Sequence, residues 1–337
     1  MRTVLLITLA AFSLTAGPAS LAHAQPTAPA PPSADNPGLG IRLLEAPLDL
    51  ADDPRAATYI IDNLPPGTDI HRRIEISNRT GAPQSVQIYP GAAHVDSDTG
   101  FVLEEGAAIN ELTTWMSVDR PTIELADGQT QDVSVTVGVP TEAPEGEQYA
   151  VLWAQIAGAD PAGSGATVVN RVGIRTYLSV GPGNGPPADY VIDALTPARD
   201  NNGQPQIIAE FTNTGGRAVD VNGTVTLTDG PGGISAGPFP ATTSTVGPGH
   251  KGQAVFNLNS QLPEGPWEAK VELTSGILHR ASTATLTFPD TGTGASIADQ
   301  STRPTWWIWI TALTLTAIAI AIAVVVVVAR SKRRQSR

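Results

Sequence analysis

Thr130-Gln131-Asp132-Val133-Ser134-Val135-Thr136-Val137-Gly138-Val139 is the stretch that decides the fold class. Val133, Val135, Val137 and Val139 fall on one side of an extended chain, and Ser134, Thr136 and Gly138 fall on the other. A period of two with β-branched residues predicts a half-buried antiparallel strand. Asp69 to Asn78 repeats the pattern, with Ile70, Ile74 and Ile76 against His71, Arg73, Glu75 and Ser77. Pro65-Pro66-Gly67, Thr80-Gly81, Asp98-Thr99-Gly100 and Asp127-Gly128 place turns between such runs. Ala107 to Thr114 is the one window here that suits a short helical turn.

Beyond a Gly/Pro-rich hinge, Gly181-Pro182-Gly183-Asn184-Gly185-Pro186-Pro187, the pattern starts again. Val221, Val225 and Leu227 alternate with polar residues, as do Ala254, Phe256 and Leu258, and Ala269, Val271 and Leu273. The two halves also share a local motif. Ile74-Glu75-Ile76-Ser77-Asn78-Arg79-Thr80-Gly81 resembles Ala209-Glu210-Phe211-Thr212-Asn213-Thr214-Gly215-Gly216. Leu125 to Gln129 and Val246 to His250 then each introduce another alternating strand. Short, evenly spaced strands with Gly/Pro turns predict an all-β chain of two tandem immunoglobulin-like β-sandwiches, residues 39–183 and 184–289. The chain has no cysteine, so each sandwich must be held by its apolar core, at about 25 cal/mol per Å² buried.

The ends predict location. Residues 1–24 read as a signal peptide: Arg2, an apolar Val4 to Leu14, and small residues Ala22 and Ala24 flanking His23 at the cleavage site. Residues 25–38 are a Pro-rich linker and residues 290–305 a polar spacer. Trp306 to Ala329 has no charge, proline or glycine. As a helix it would reach about 36 Å, enough for one span of a hydrocarbon core about 30 Å thick. Tryptophans at its start and the basic tail 330–337 predict a single-pass membrane protein with its sandwiches outside and its C-terminus in the cytoplasm. The formal net charge is −12, and the signal and tail carry six cations and no acid, which leaves the exposed part more acidic still. Such a surface argues against nucleic acid as a partner.

Residues 41–180 resemble the peptidoglycan-binding domain of WxL-protein-interacting surface proteins. The segments that carry the likeness are Tyr59-Ile60-Ile61-Asp62-Asn63-Leu64-Pro65-Pro66-Gly67, Ile74 to Asn78, Val86-Gln87-Ile88-Tyr89-Pro90-Gly91-Ala92-Ala93 and Asp98-Thr99-Gly100-Phe101. Trp115 and Val169-Asn170-Arg171-Val172-Gly173-Ile174-Arg175-Thr176-Tyr177 complete it. The resemblance implies a non-enzymatic surface protein that binds cell-wall peptidoglycan through its first domain and another surface protein through its second. An assembly chaperone that works by β-strand augmentation is the alternative.

Chemistry-bearing motifs are sparse. No His-x-x-x-His pair, Gly-x-Ser-x-Gly elbow or P-loop is present, so neither an enzyme nor a cofactor is expected. Asp96 and Asp98 have the alternation of a calcium loop but lack its closing acid, and a hairpin turn explains them as well. Tyr89, Trp115, Tyr149 and Trp153 are aromatics able to stack on sugars, and Tyr89 and Trp115 are the pair expected at the surface. Phe288-Pro289-Asp290-Thr291-Gly292 is similar to a sortase signal, which would make the chain a wall-anchored adhesin, but Phe replaces Leu and the apolar run starts late.

Overall fold

Val133, Val135 and Val137 are at most 1 % exposed, and the strand that carries them lies inside a sheet with neighbours on both sides. The computed structural model describes residues 38–157, 169–183 and 185–299. In the first half, strands β1 (Gly38–Leu43), β2 (Ile60–Leu64), β3 (Asp69–Arg79), β4 (Gln84–Asp96) and β5 (Gly100–Leu103) come before a short helix, α1 (Glu111–Trp115). Strands β6 (Met116–Val118), β7 (Thr122–Leu125), β8 (Thr130–Gly138), β9 (Gly146–Ala157) and β10 (Val169–Val180) follow. One sheet has the order β1-β3-β8-β6 and the other β2-β10-β9-β4-β5, with β7 also on β4. Ile74 and Ile76 of β3 and the β8 valines pack against Ile88 of β4, Leu152 of β9 and Ile174 of β10 between the two layers. The helix starts later than the sequence window suggests. Asn110 caps it by accepting from the Thr113 amide at 3.0 Å, while the Thr113 hydroxyl accepts from the Asn110 amide at 2.9 Å.

The second half has a separate core made of Ile207, Phe211, Val225, Phe256, Trp267, Val271 and their neighbours. Its strands are β11 (Tyr190–Arg199), β12 (Pro205–Asn213), β13 (Val219–Asp220), β14 (Asn222–Thr228), β15 (Ala236–Thr242) and β16 (Thr245–Val246). After them come β17 (Lys251–Asn257), β18 (Trp267–Ser275), β19 (Leu278–Leu286) and β20 (Ile297–Ala298). The order β19-β18-β14-β15-β17-β12-β11-β20 makes one curved sheet that folds over its own core, beside a small β13-β16 ribbon.

The repeated asparagine motif has a common structural role. Asn78 and Asn213 are both fully buried. Asn78 donates to the Leu125 and Ala82 carbonyls, and Asn213 to the Val246 and Arg217 carbonyls. The backbone of Asn78 bonds Gln129 and Gly128, and that of Asn213 bonds His250 and Gly249. Each asparagine therefore ties the end of one strand to the turn that launches another, which is why the same pattern occurs in both halves.

Residues 290–299 depart from the spacer expectation. The Arg199 amide bonds the Gly292 carbonyl, Gly294 bonds Pro197, and β20 pairs with β11. Ile297 packs on the second core, and that apolar contact is what holds a segment otherwise polar enough to stay in water. The predicted signal peptide, residues 25–37 of the Pro-rich linker, the span 306–329 and the tail lie outside the described residues. Among the described residues no helix is long and apolar enough to cross a membrane.

Candidate functional site

Among the described residues, the edge of β10 is where a strand of the first sandwich lacks a partner over part of its length. Along its whole length β10 pairs antiparallel with β9. On its other side β2 runs parallel to it, but only over Thr176–Val180. For Val169 to Arg175, no strand occupies that second side among the described residues. The preceding chain cannot extend β2 upward, because residues 51–59 turn away through the bonds Ala56 to Asp53 and Tyr59 to Arg55. The result is an open edge, or lane, along this part of β10. Val172 of β10 and Ile41 of β1 are both only partly buried where they pack against the core. Unpaired edge N–H and C=O groups are a template for another strand.

The outer face of the same sheet carries an aromatic and cationic cluster. Trp153 of β9 faces away from the core yet is only 6 % exposed. Its registered neighbours are Tyr89 on β4 and Gly173 on β10. A Cβ at Gly91 or Gly173 would lie 2.7 Å from the indole, so these glycines make the floor on which it lies flat. The Arg171 guanidinium covers the other side, 4.4 Å from the ring centre. Tyr89 is half-buried, and its hydroxyl lies 2.5 Å from the Gln155 side chain that accepts its proton.

Further along this face the first sandwich meets the second. Tyr177, Ile61 and Ala218 form a small buried cluster with Tyr59, Phe101 and Tyr149 packed around it. Asp220 is its polar hub: Tyr177 donates to it at 3.2 Å, Thr245 at 2.5 Å, and Arg55 is paired with it at 2.8 Å. Glu147 accepts from the Tyr149 hydroxyl at 2.7 Å and from the Ala218 amide at 2.6 Å. Loss of water pushes the Glu147 carboxyl above its ordinary range despite these donors and the nearby arginines. Arg175, the last residue of the open lane, reaches Thr245 at 3.3 Å, so lane and junction touch. The hinge is also pinned: Asn63 donates to the Gly183 carbonyl at 2.8 Å and Gly216 to Pro187.

The other residues singled out from sequence fall elsewhere. Trp115 is half-buried and packs on the first core at the end of α1, so it is not on the face that holds Tyr89. Asp96 and Asp98 sit at the β4–β5 turn. Asp96 accepts from the Asp98 and Thr99 amides and the Thr99 hydroxyl, all at 2.9 Å. Those bonds hold its carboxyl below the usual range. Among the described residues, no group of three His, Asp or Glu is placed to hold a metal. Phe288 is 2 % exposed, and Arg199 bonds the Pro289 carbonyl at 2.7 Å, so the sortase-like motif is docked on the second sandwich. An open groove of about 430 Å³ beside α1 is lined by His94, Glu104, Ile109 and Asn110; it contains an exposed His94–Glu104 pair at 2.8 Å and no nucleophile.

No family model and no curated protein matches the chain. Among solved structures it is similar to the YadV chaperone, at 12 % identity and a TM-score of 0.39 over 74 % of this chain and 99 % of that one. A Salmonella enterica complex of the SafA pilin with the SafB chaperone gives 12 % identity and a TM-score of 0.40, over 75 % and 99 %. The Escherichia coli chaperone DraB gives 15 % and 0.34, over 72 % and 94 %. At these values the likeness assigns neither family nor activity.

Proposed function

We propose that this chain is a non-enzymatic, membrane-anchored surface protein that binds another protein by taking an extended segment of it onto the open edge of β10. The observation that carries the reading is the lane beside Val169–Arg175, open on a strand whose lower half is already paired with β2. Main-chain bonds along the lane would supply affinity, and the side chains on its two faces would supply selectivity. Placement outside the membrane rests on the sequence of residues 306–337. Binding needs no catalytic group, and the fixed junction would present the lane from a stiff pair of sandwiches. A photo-crosslinking residue in place of Val169, exposed at the start of the lane, tests this in the full chain in its own envelope. Trapped peptides from one protein, mapping to an extended segment, are expected. Crosslinks to wall glycan alone would overturn the reading in favour of the peptidoglycan attachment that the family resemblance implies.

A further inference from the structure

We infer that the strand accepted by the β10 lane alternates apolar residues with acidic ones, the acidic ones on the side of Arg171. This rests on the strand-addition reading and names the class of partner. Side chains alternate along β10: Val172 and Ile174 face inward to the core, and Arg171, Gly173 and Arg175 face outward. Residues directly opposite on a paired strand share a face. Inward residues of the incoming strand would therefore meet Val172, Ile174 and Ile41, and apolar side chains fit there. Outward residues would meet Arg171 and Gly173.

Arg171 differs from the other arginines around it. Arg42, Arg55, Arg72 and Arg73 pair with Glu75, Asp220, Asp62 and Glu45. Arg171 is exposed and, among the described residues, has no carboxylate partner, in a chain of formal net charge −12. Its guanidinium lies 4.4 Å from the centre of the Trp153 ring on the outer face of the sheet, and a guanidinium can meet a carboxylate with two parallel bonds. Gly173 leaves the neighbouring outward position flat. Arg175 adds positive charge at the lower end, although it already reaches Thr245 and Asp220. A second copy of this chain suits the lane poorly. Antiparallel pairing centred on Val172 would set Arg171 of each copy diagonal to Arg171 and Arg175 of the other, and like charges so placed destabilise a sheet.

The test uses three labelled heptapeptides, alternating Val with Glu, with Thr or with Lys, titrated against the full chain by fluorescence anisotropy. The Glu peptide should bind about ten-fold more tightly than the Lys peptide, with Thr between, and the gap should shrink in high salt. Arg171→Glu should reverse the order, and Arg171→Gln, which keeps the shape, should level it. Equal binding of all three peptides before and after Arg171→Glu overturns the charge inference and leaves strand addition standing. Binding of none of them overturns both.

Discussion

Arg55 of the first sandwich meets Asp220 of the second at 2.8 Å, with the two side chains 12 % and 17 % exposed. The guanidinium also donates to the Ala218 carbonyl at 3.1 Å and lies over the Tyr177 ring. One arginine on the loop before β2 thus binds two backbone-distant elements and caps the aromatic cluster between the sandwiches. Removing either partner leaves the other charge poorly hydrated. Asp220→Ala should cost about 3–5 kcal/mol, as breaking a buried pair does. Calorimetry should then show one transition for the native chain and two for the variant. A single transition at the native temperature would mean the junction carries little of the coupling.

Glu147 gives the junction a pH dependence with a defined sign. Burial holds its folded carboxyl above its ordinary range, so in the pH window between its unfolded and folded values the folded state binds more protons than the unfolded chain. The stability this contributes is fully present below the unfolded value and is lost as pH rises through the folded one. Glu147→Gln removes that titration, so denaturant midpoints of variant and native chain should diverge as pH rises through that window. Parallel pH profiles would show that Glu147 does not titrate differently in the two states.

Asn78→Ala and Asn213→Ala each remove the donor to one buried and one part-buried carbonyl at the same structural position in the two sandwiches. Each should cost about 1–3 kcal/mol, the usual effect of leaving a buried polar group unpaired. Urea melts should show Asn78→Ala weakening the first core and Asn213→Ala the second. A loss under 0.5 kcal/mol in either would mean that water replaces the side chain.

Gly173→Val would put a side chain against the indole of Trp153. Overpacking at this outer face should cost about 1–3 kcal/mol and tilt the ring out from under Arg171. Near-ultraviolet circular dichroism should change while far-ultraviolet signal stays native. An unchanged aromatic spectrum would place Trp153 elsewhere in solution.

Strands with one wet face were legible in the sequence because their polar and apolar residues alternate, as in β3, β8 and β18. The asparagine motif was legible for a related reason, since one local geometry needs one local pattern. The lane and the Trp153 face were not. Ala150, Val151, Leu152, Trp153 and Ala154 are all buried, the even ones by the core and the odd ones by the glycine floor, Arg171 and the junction, so β9 shows no alternation to read. The parallel pairing of β2 with β10 and the Arg55–Asp220 contact join residues far apart in the chain, and no local period reports such pairs. Trp115 looked exposed because it follows a polar stretch, yet that stretch is the capped start of α1, which turns the indole onto the core.

Hydrogen exchange at the β10 amides tests strand addition most directly. With the alternating Val and Glu peptide bound, alternate amides between Val169 and Arg175, those pointing into the lane, should become protected. Amides of Thr176 to Val180, already beside β2, should exchange as before. Peptide bound at saturation with exchange at Val169–Arg175 unchanged would contradict the claim that this edge takes up a strand.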